Sequence, residues 1–267
     1  MLTAVDSIQG HDCVILLDVV PQDVITLDFN PKEFFAVTPA LVHHKDIPRG
    51  IVYAKAPSVL TDIADPRNTF YDTAKKAVAM AKANGATRPV LLVHNQPILD
   101  RKGKPHSDFK HHVESALLGA LQEIYTPLQA KHFSASLQAI PQIAVKFTSP
   151  ADKSILEYVS AVEQGKILAR DMGGADPEFM SPLNCASHIL EVFKEHPHIS
   201  VSIEKDPDVL LKEYPLLHAV ARCSLVVPRH HPVVVKLVYK SENQAAVKEN
   251  LFLVGKGVTY DTGGADV

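Results

Sequence analysis

The sequence predicts an α/β protein. Short apolar runs of strand length, Cys13–Leu17, Pro89–Val93 and Ile143–Phe147, recur along the first half, and stretches with helical spacing separate them. Strands alternating with helices imply a largely parallel sheet, because parallel strands need a crossover between them. The second half repeats this grammar, which leads to an expected division into an N-terminal α/β domain (1–150), a linker helix (151–172) and a further α/β region (173–267).

Taken in order, Cys13-Val14-Ile15-Leu16-Leu17 reads as a buried strand, bounded by Gly10 and Pro21. Residues 22–47 mix short apolar pieces with Pro31 and Pro39, and Ile51–Ala54 reads as another strand. Asp65-Pro66-Arg67-Asn68 reads as a turn. From Tyr71 to Asn84, Ala74, Ala77, Val78 and Ala81 keep helical spacing, and Gly85 supplies a stop. Pro89–Val93 follows as a strand, and Lys102–Pro105 as a surface loop. Val113, Ala116, Leu117, Ala120, Leu121 and Ile124 then define an amphipathic helix over 108–125. Ile143–Phe147 closes the region as a strand.

The linker helix should begin near Asp152, a residue suited to the N-cap or first turn, and run through Ile155, Leu156, Val159, Val162 and Ile167. Residues 169–182 read as a turn-rich connection. Ser181-Pro182 should open a helix reaching about Glu195, with the Ser hydroxyl capping and Pro at the first helical position. Ile199–Ile203 alternates as a half-buried strand. Val209–Ala221 should be helical with a break at Pro215, and Pro232–Tyr239 should form a strand. Leu251–Val254 reads as a third, buried strand.

Composition narrows the function classes. A formal net charge of -3 argues against a basic nucleic-acid surface. No apolar run approaches the ~18–20 residues of a membrane helix. The N-terminus Met1-Leu2-Thr3-Ala4-Val5-Asp6 lacks the basic and apolar regions of a secretory signal. Cys13, Cys185 and Cys223 are odd in number and widely spaced, which suits a reducing compartment and offers no thiolate zinc site; they read as packed core thiols. The expected location is cytoplasmic. His43-His44 and His111-His112 look metal-like, but neighbours on a strand face opposite ways and on a helix diverge by about 100°. Both pairs read as solvated surface residues, and no HExxH helix motif occurs.

Chemistry concentrates in Val254-Gly255-Lys256-Gly257-Val258-Thr259-Tyr260-Asp261-Thr262-Gly263-Gly264. A lysine and a carboxylate on glycine-rich backbone after an apolar run suggest a site. The residues alone favour the plainer reading, an exposed lysine at a strand end followed by a turn. A P-loop is excluded, since no glycine precedes Gly255 at the needed spacing and Gly257 stands where Ser or Thr belongs. A dinucleotide fingerprint fails because Tyr260 occupies its third glycine position.

This stretch resembles the signature of the leucyl (cytosol) aminopeptidase family, which uses two metal ions. Fainter similarity lies upstream in the same order: Ala169-Arg170-Asp171 with Ser181-Pro182, then Val220, Ser224, Pro228-Arg229 and Val233–Tyr239. The resemblance implies a macro-like N-terminal domain followed by the first part of a peptidase catalytic domain. It implies that Lys256 and Asp261 are metal ligands, with Gly255, Gly257, Gly263 and Gly264 shaping the backbone around two divalent ions (zinc, manganese or magnesium). Lysine binds a cation only as the neutral amine, so a nearby ion and burial must lower its pKa from about 10.4. Two such ions activate water and polarise the scissile carbonyl of a peptide.

The family's catalytic lysine is expected immediately after Val267, with the remaining carboxylates and a bicarbonate-holding arginine further on. The chain is therefore expected to be an inactive fragment of a peptide-cleaving homohexamer. The alternative is a non-catalytic binding or assembly module that keeps the N-terminal domain. The sequence departs from the family pattern at Gly174 and Glu178, where asparagines are usual. It departs again at His218–Cys223, normally glycine-rich, and at Ala265-Asp266.

Overall fold

The computed structural model describes residues 1–17, 38–60, 64–134, 140–150, 154–255, 257 and 258. The chain forms two compact units, Met1–Ala169 and Arg170–Val267. Among the described residues no helix is long and apolar enough to cross a membrane.

The first unit is built on a six-stranded sheet. Its strands are β1 (Leu2–Ala4), β2 (Cys13–Leu17), β3 (Ala40–His44), β4 (Ile47–Ala54), β5 (Pro89–Val93) and β6 (Ile143–Phe147), in the order β1-β6-β5-β2-β4-β3. All neighbours are parallel except the edge pair β3–β4. The β3–β4 register shifts between Val42 and His44, opposite Gly50, whose φ is +72°. A Cβ there would stand 2.4 Å from the Val42 carbonyl oxygen, so only glycine fits this bulge.

Alternation along the central strands divides the core between the two faces of the sheet. Ile15, Leu17, Leu91, Val93 and Val145 join one cluster; Val14, Leu16, Val90, Leu92 and Ala144 join the other. The first face is covered by α1 (Asp72–Ala83), which joins β4 to β5, and α2 (His112–Ile124), which joins β5 to β6. Ala74, Ala77, Val78 and Ala81 of α1, with Val113, Ala116, Leu117 and Ala120 of α2, supply the buried stripes. Burying each Leu, Ile or Val contributes about 1.5–3 kcal/mol, and these side chains are nearly all fully buried. A short α3 (Leu128–Phe133) follows α2, and Leu156 and Val159 of α4 (Ser154–Gly173) also enter the core.

The α/β class expected from the sequence is observed, and strands β2, β5 and β6 have the expected bounds. Several local expectations are corrected. Asp65–Asn68 is not an isolated turn but the start of a helical segment. Asp65 Oδ1 accepts from Asn68 N at 2.8 Å and Asn68 Oδ1 accepts from Asp65 N at 3.1 Å, a reciprocal cap leading through a π-helical turn (Arg67–Tyr71) into α1. The helix expected over 108–125 begins as a 3₁₀ turn (Ser107–Phe109), and regular α2 starts only at His112. The expected N-cap Asp152 lies outside the described residues. Helix α4 continues to Gly173, through Arg170–Met172, because nothing in that stretch breaks a helix before the glycines.

The second unit contains α5 (Pro182–Phe193), β7 (Ile199–Glu204), α6 (Pro207–Glu213), α7 (Pro215–Ala221) and β8 (Val234–Tyr239). Strands β7 and β8 pair antiparallel over their whole length. Pro182 takes the first position of α5 as expected, but the Ser181 side chain makes no cap. Asp176 serves the preceding turn instead, accepting from the amides of Glu178 (2.9 Å) and Phe179 (3.1 Å). Asp206 caps α6, and Pro215 separates α6 from α7 at the non-helical Tyr214. The third strand expected at Leu251–Val254 does not form: these residues have no ladder partner among the described residues and are 84–96% exposed.

Candidate metal-peptidase segment

The route to the signature runs from β8 through a turn, where Ser241 Oγ accepts from Asn243 N at 3.3 Å, and a 3₁₀ turn (Gln244–Ala246). A stretch without regular secondary structure then carries the chain to Gly255. Gly257 and Val258 are the last described residues. Gly255 and Gly257 are exposed, and among the described residues no atom beyond their chain neighbours comes within 4 Å of where a side chain would project. Lys256, Asp261, Gly263 and Gly264 lie outside the described residues. Among the described residues, no three His, Cys, Asp or Glu side chains gather as a metal-holding group.

Upstream, the unit is tied by a charged knot. Glu178 accepts from His230 Nε2 at 2.6 Å and from Arg229 Nε. Hydrogen bonds from His230 and then Arg229 hold the Glu178 carboxyl below the usual carboxylate range. The knot joins the turn before α5 to the 3₁₀ turn Pro228–His230 that precedes β8. Glu178 was singled out in the sequence only as a departure from the family pattern. Its two basic partners lie some fifty positions downstream, a pairing no local pattern carries.

The histidine pairs separate in the structure. His43 and His111 are exposed and His44 is half-buried, but His112 is buried, correcting its assignment to the surface. The cause is its position on the inner side of the first turn of α2. Its Nδ1 faces the Phe109 carbonyl oxygen at 2.9 Å and its Nε2 faces the His94 carbonyl oxygen at 3.1 Å. The ring therefore ties the chain after β5 to the start of α2. Burial, and secondarily the neighbouring His112, push the His94 imidazole below its ordinary pKa.

The cysteines also divide. Cys13 is fully buried, and burial with the adjacent Asp12 pushes its thiol up to about 12. Cys185 is half-buried, with its pKa raised by burial. Cys223 is exposed rather than a core thiol, because it falls in a 3₁₀ turn (Arg222–Val226) with no buried residue.

Residues 167–267 match the catalytic domain of the cytosol aminopeptidase family. This segment belongs to that family. A putative aminopeptidase of Caenorhabditis elegans is 31% identical over 224 residues, covering 83% of this chain and 40% of the relative. The chain thus spans well under half the length of that relative. Among solved structures, a tomato leucine aminopeptidase variant superposes over 98% of this chain and 55% of its own, with a TM-score of 0.67 at 17% identity. A bottromycin maturation enzyme in complex with Mn covers 87% of this chain and 46% of its own, with a TM-score of 0.54 at 16% identity. These likenesses show a shared leucine-aminopeptidase-like α/β fold.

Proposed function

We infer that the protein to which this chain belongs is a metal-dependent aminopeptidase that removes N-terminal residues from peptides. The observation that carries this reading is the match of residues 167–267 to the family's catalytic domain, with the Val254–Gly264 signature inside it. Residues 1–150 serve as the N-terminal domain, 151–172 as the linker and 173–267 as the start of the catalytic domain.

Lys256 and Asp261 would hold divalent metal, zinc or manganese with magnesium as a further candidate. An amine and a carboxylate are suitable donors for these ions, and glycine at 255 and 257 adds no side chain of its own beside them. The metal supplies Lewis acidity and water activation when bound. Lys256 must present its neutral amine to take part, while Asp261 contributes negative charge. Two such residues do not complete two ion sites, since catalytic metals generally take about three protein ligands each; further ligands belong to the rest of the catalytic domain. Bicarbonate as an auxiliary base, a homohexameric assembly and a cytoplasmic location complete the reading.

The test is cleavage of leucyl substrates by the full protein with manganese added. Lys256→Ala should abolish the manganese-stimulated rate while leaving the circular dichroism spectrum unchanged. Undiminished cleavage by Lys256→Ala, or no cleavage by the wild-type protein with any of the three metals, would overturn the reading.

A further inference from the structure

The first unit carries a cleft of about 690 Å³ at the carboxyl ends of β5 and β6, a size suited to small-molecule ligands. It lies beyond the ends of two adjacent parallel strands, between the loops that leave them. Two loops border it, and they are locked together. Asn95, just after β5, accepts from Ser149 N (3.0 Å) and Ser149 Oγ (2.8 Å), and donates to the Ser149 carbonyl oxygen (3.1 Å). His112 fixes the third side through its two carbonyl contacts. Edge-to-face packing of His106 on Phe109, with ring centroids 4.9 Å apart, braces the wall. The cleft is therefore preformed.

Its lining combines apolar side chains, including Ile98, Phe109, Phe147 and Ile155, with two residues of opposite charge, Lys110 and Glu114. Lys110 is exposed, and among the described residues no ion pair joins it to a carboxylate. The Glu114 side chain is only 19% exposed, and Oε1 accepts from His111 Nδ1 at 2.8 Å. A cation and a carboxylate four positions apart, beside apolar side chains, match a ligand charged oppositely at its two ends. Lys110 lies in the turn after the 3₁₀ segment and Glu114 in the first turn of α2, so the two charges line the cleft from adjoining stretches of backbone. We propose that this cleft binds short zwitterionic peptides with apolar side chains, the carboxylate at Lys110 and the ammonium at Glu114. The proposal names a second peptide site, in the N-terminal unit. It shares with the peptidase reading only the class of ligand and does not depend on it.

The experiment is calorimetric titration of the metal-free chain, in excess chelator, with leucyl-leucine, its C-terminal amide and its N-acetyl derivative. Wild-type protein should bind the dipeptide and bind each blocked form about tenfold more weakly, the size of one charge-assisted hydrogen bond. Lys110→Met should weaken the dipeptide about tenfold and erase the preference for acid over amide. Glu114→Gln should erase only the preference for the free amine. Hydrogen exchange should show dipeptide protection in residues 94–114, 147–150 and 154–158. No binding, protection confined to other segments, or unchanged discrimination in folded Lys110→Met would overturn the proposal. Because chelator removes metal, absent binding here leaves the Lys256 test untouched, and loss of cleavage there leaves this one untouched.

Discussion

Two apolar runs of almost the same composition meet opposite fates in this chain. Val90-Leu91-Leu92-Val93 in β5 is at most 2% exposed, whereas Leu251-Phe252-Leu253-Val254 is 84–96% exposed. Strand β5 lies between β2 and β6, with a parallel ladder on each side, and its side chains alternate into the two core clusters. Residues 251–254 have no ladder and no covering layer among the described residues. An apolar run carries the capacity to be a strand, but neighbours on both edges and both faces turn that capacity into stability.

Substitutions can break this contrast in order of size. Leu91→Ala should cost about 2–5 kcal/mol in urea unfolding, through lost transfer energy and the cavity left behind. Gly119→Ala comes next. A Cβ at Gly119 in α2 would lie 2.1 Å from the Tyr71 carbonyl oxygen, so this helix must move off the π-helical turn before α1. The expected loss is about 1–3 kcal/mol. A loss near zero in urea unfolding would contradict the tight approach.

Asp12→Asn follows, at about 1–2 kcal/mol at neutral pH from weakened charge-assisted hydrogen bonds. Burial by itself would raise the Asp12 carboxyl pKa, but bonds from Thr87 N (2.7 Å), Thr87 Oγ1 (2.8 Å) and Arg88 N (2.9 Å) outweigh it and hold the value below the ordinary one. Because the folded pKa is depressed, the contribution is present above the unfolded carboxylate pKa of about 3.9 and is lost as pH falls through the folded value. Wild type and Asp12→Asn should therefore differ at pH 7 and converge in strong acid, which urea titrations at both pH values would check. Leu253→Ala should change stability by less than about 0.5 kcal/mol. A loss comparable to that of Leu91→Ala would show that residue 253 is buried in solution and would erase the contrast.

The regions differ in how much could be read before folding. Pro89–Val93 and Ile143–Phe147 were legible as strands because buried parallel strands are nearly continuous apolar runs, bounded here by proline and polar residues. The α1 and α2 stripes were legible because their apolar residues recur at helical spacing. The reciprocal cap of Asp65 and Asn68 was legible in principle, since a polar residue three positions from an N-cap candidate is a local signal; the Asp-Pro sequence made a turn the simpler reading. The burial of His112 and the Glu178 knot were not legible, because their partners lie far away in sequence or are backbone carbonyls that carry no residue identity.

By itself, the sequence determined the α/β class, the main strands and helices, and the family signature at Val254–Gly264, since periodicity and short motifs are local properties of the chain. Tertiary structure alone decided the sheet order, the burial of His112, the exposure of Leu251–Val254, and the cleft that Lys110 and Glu114 both line. Those outcomes depend on which distant segments pack together, and burial is a property of that arrangement rather than of any residue within it.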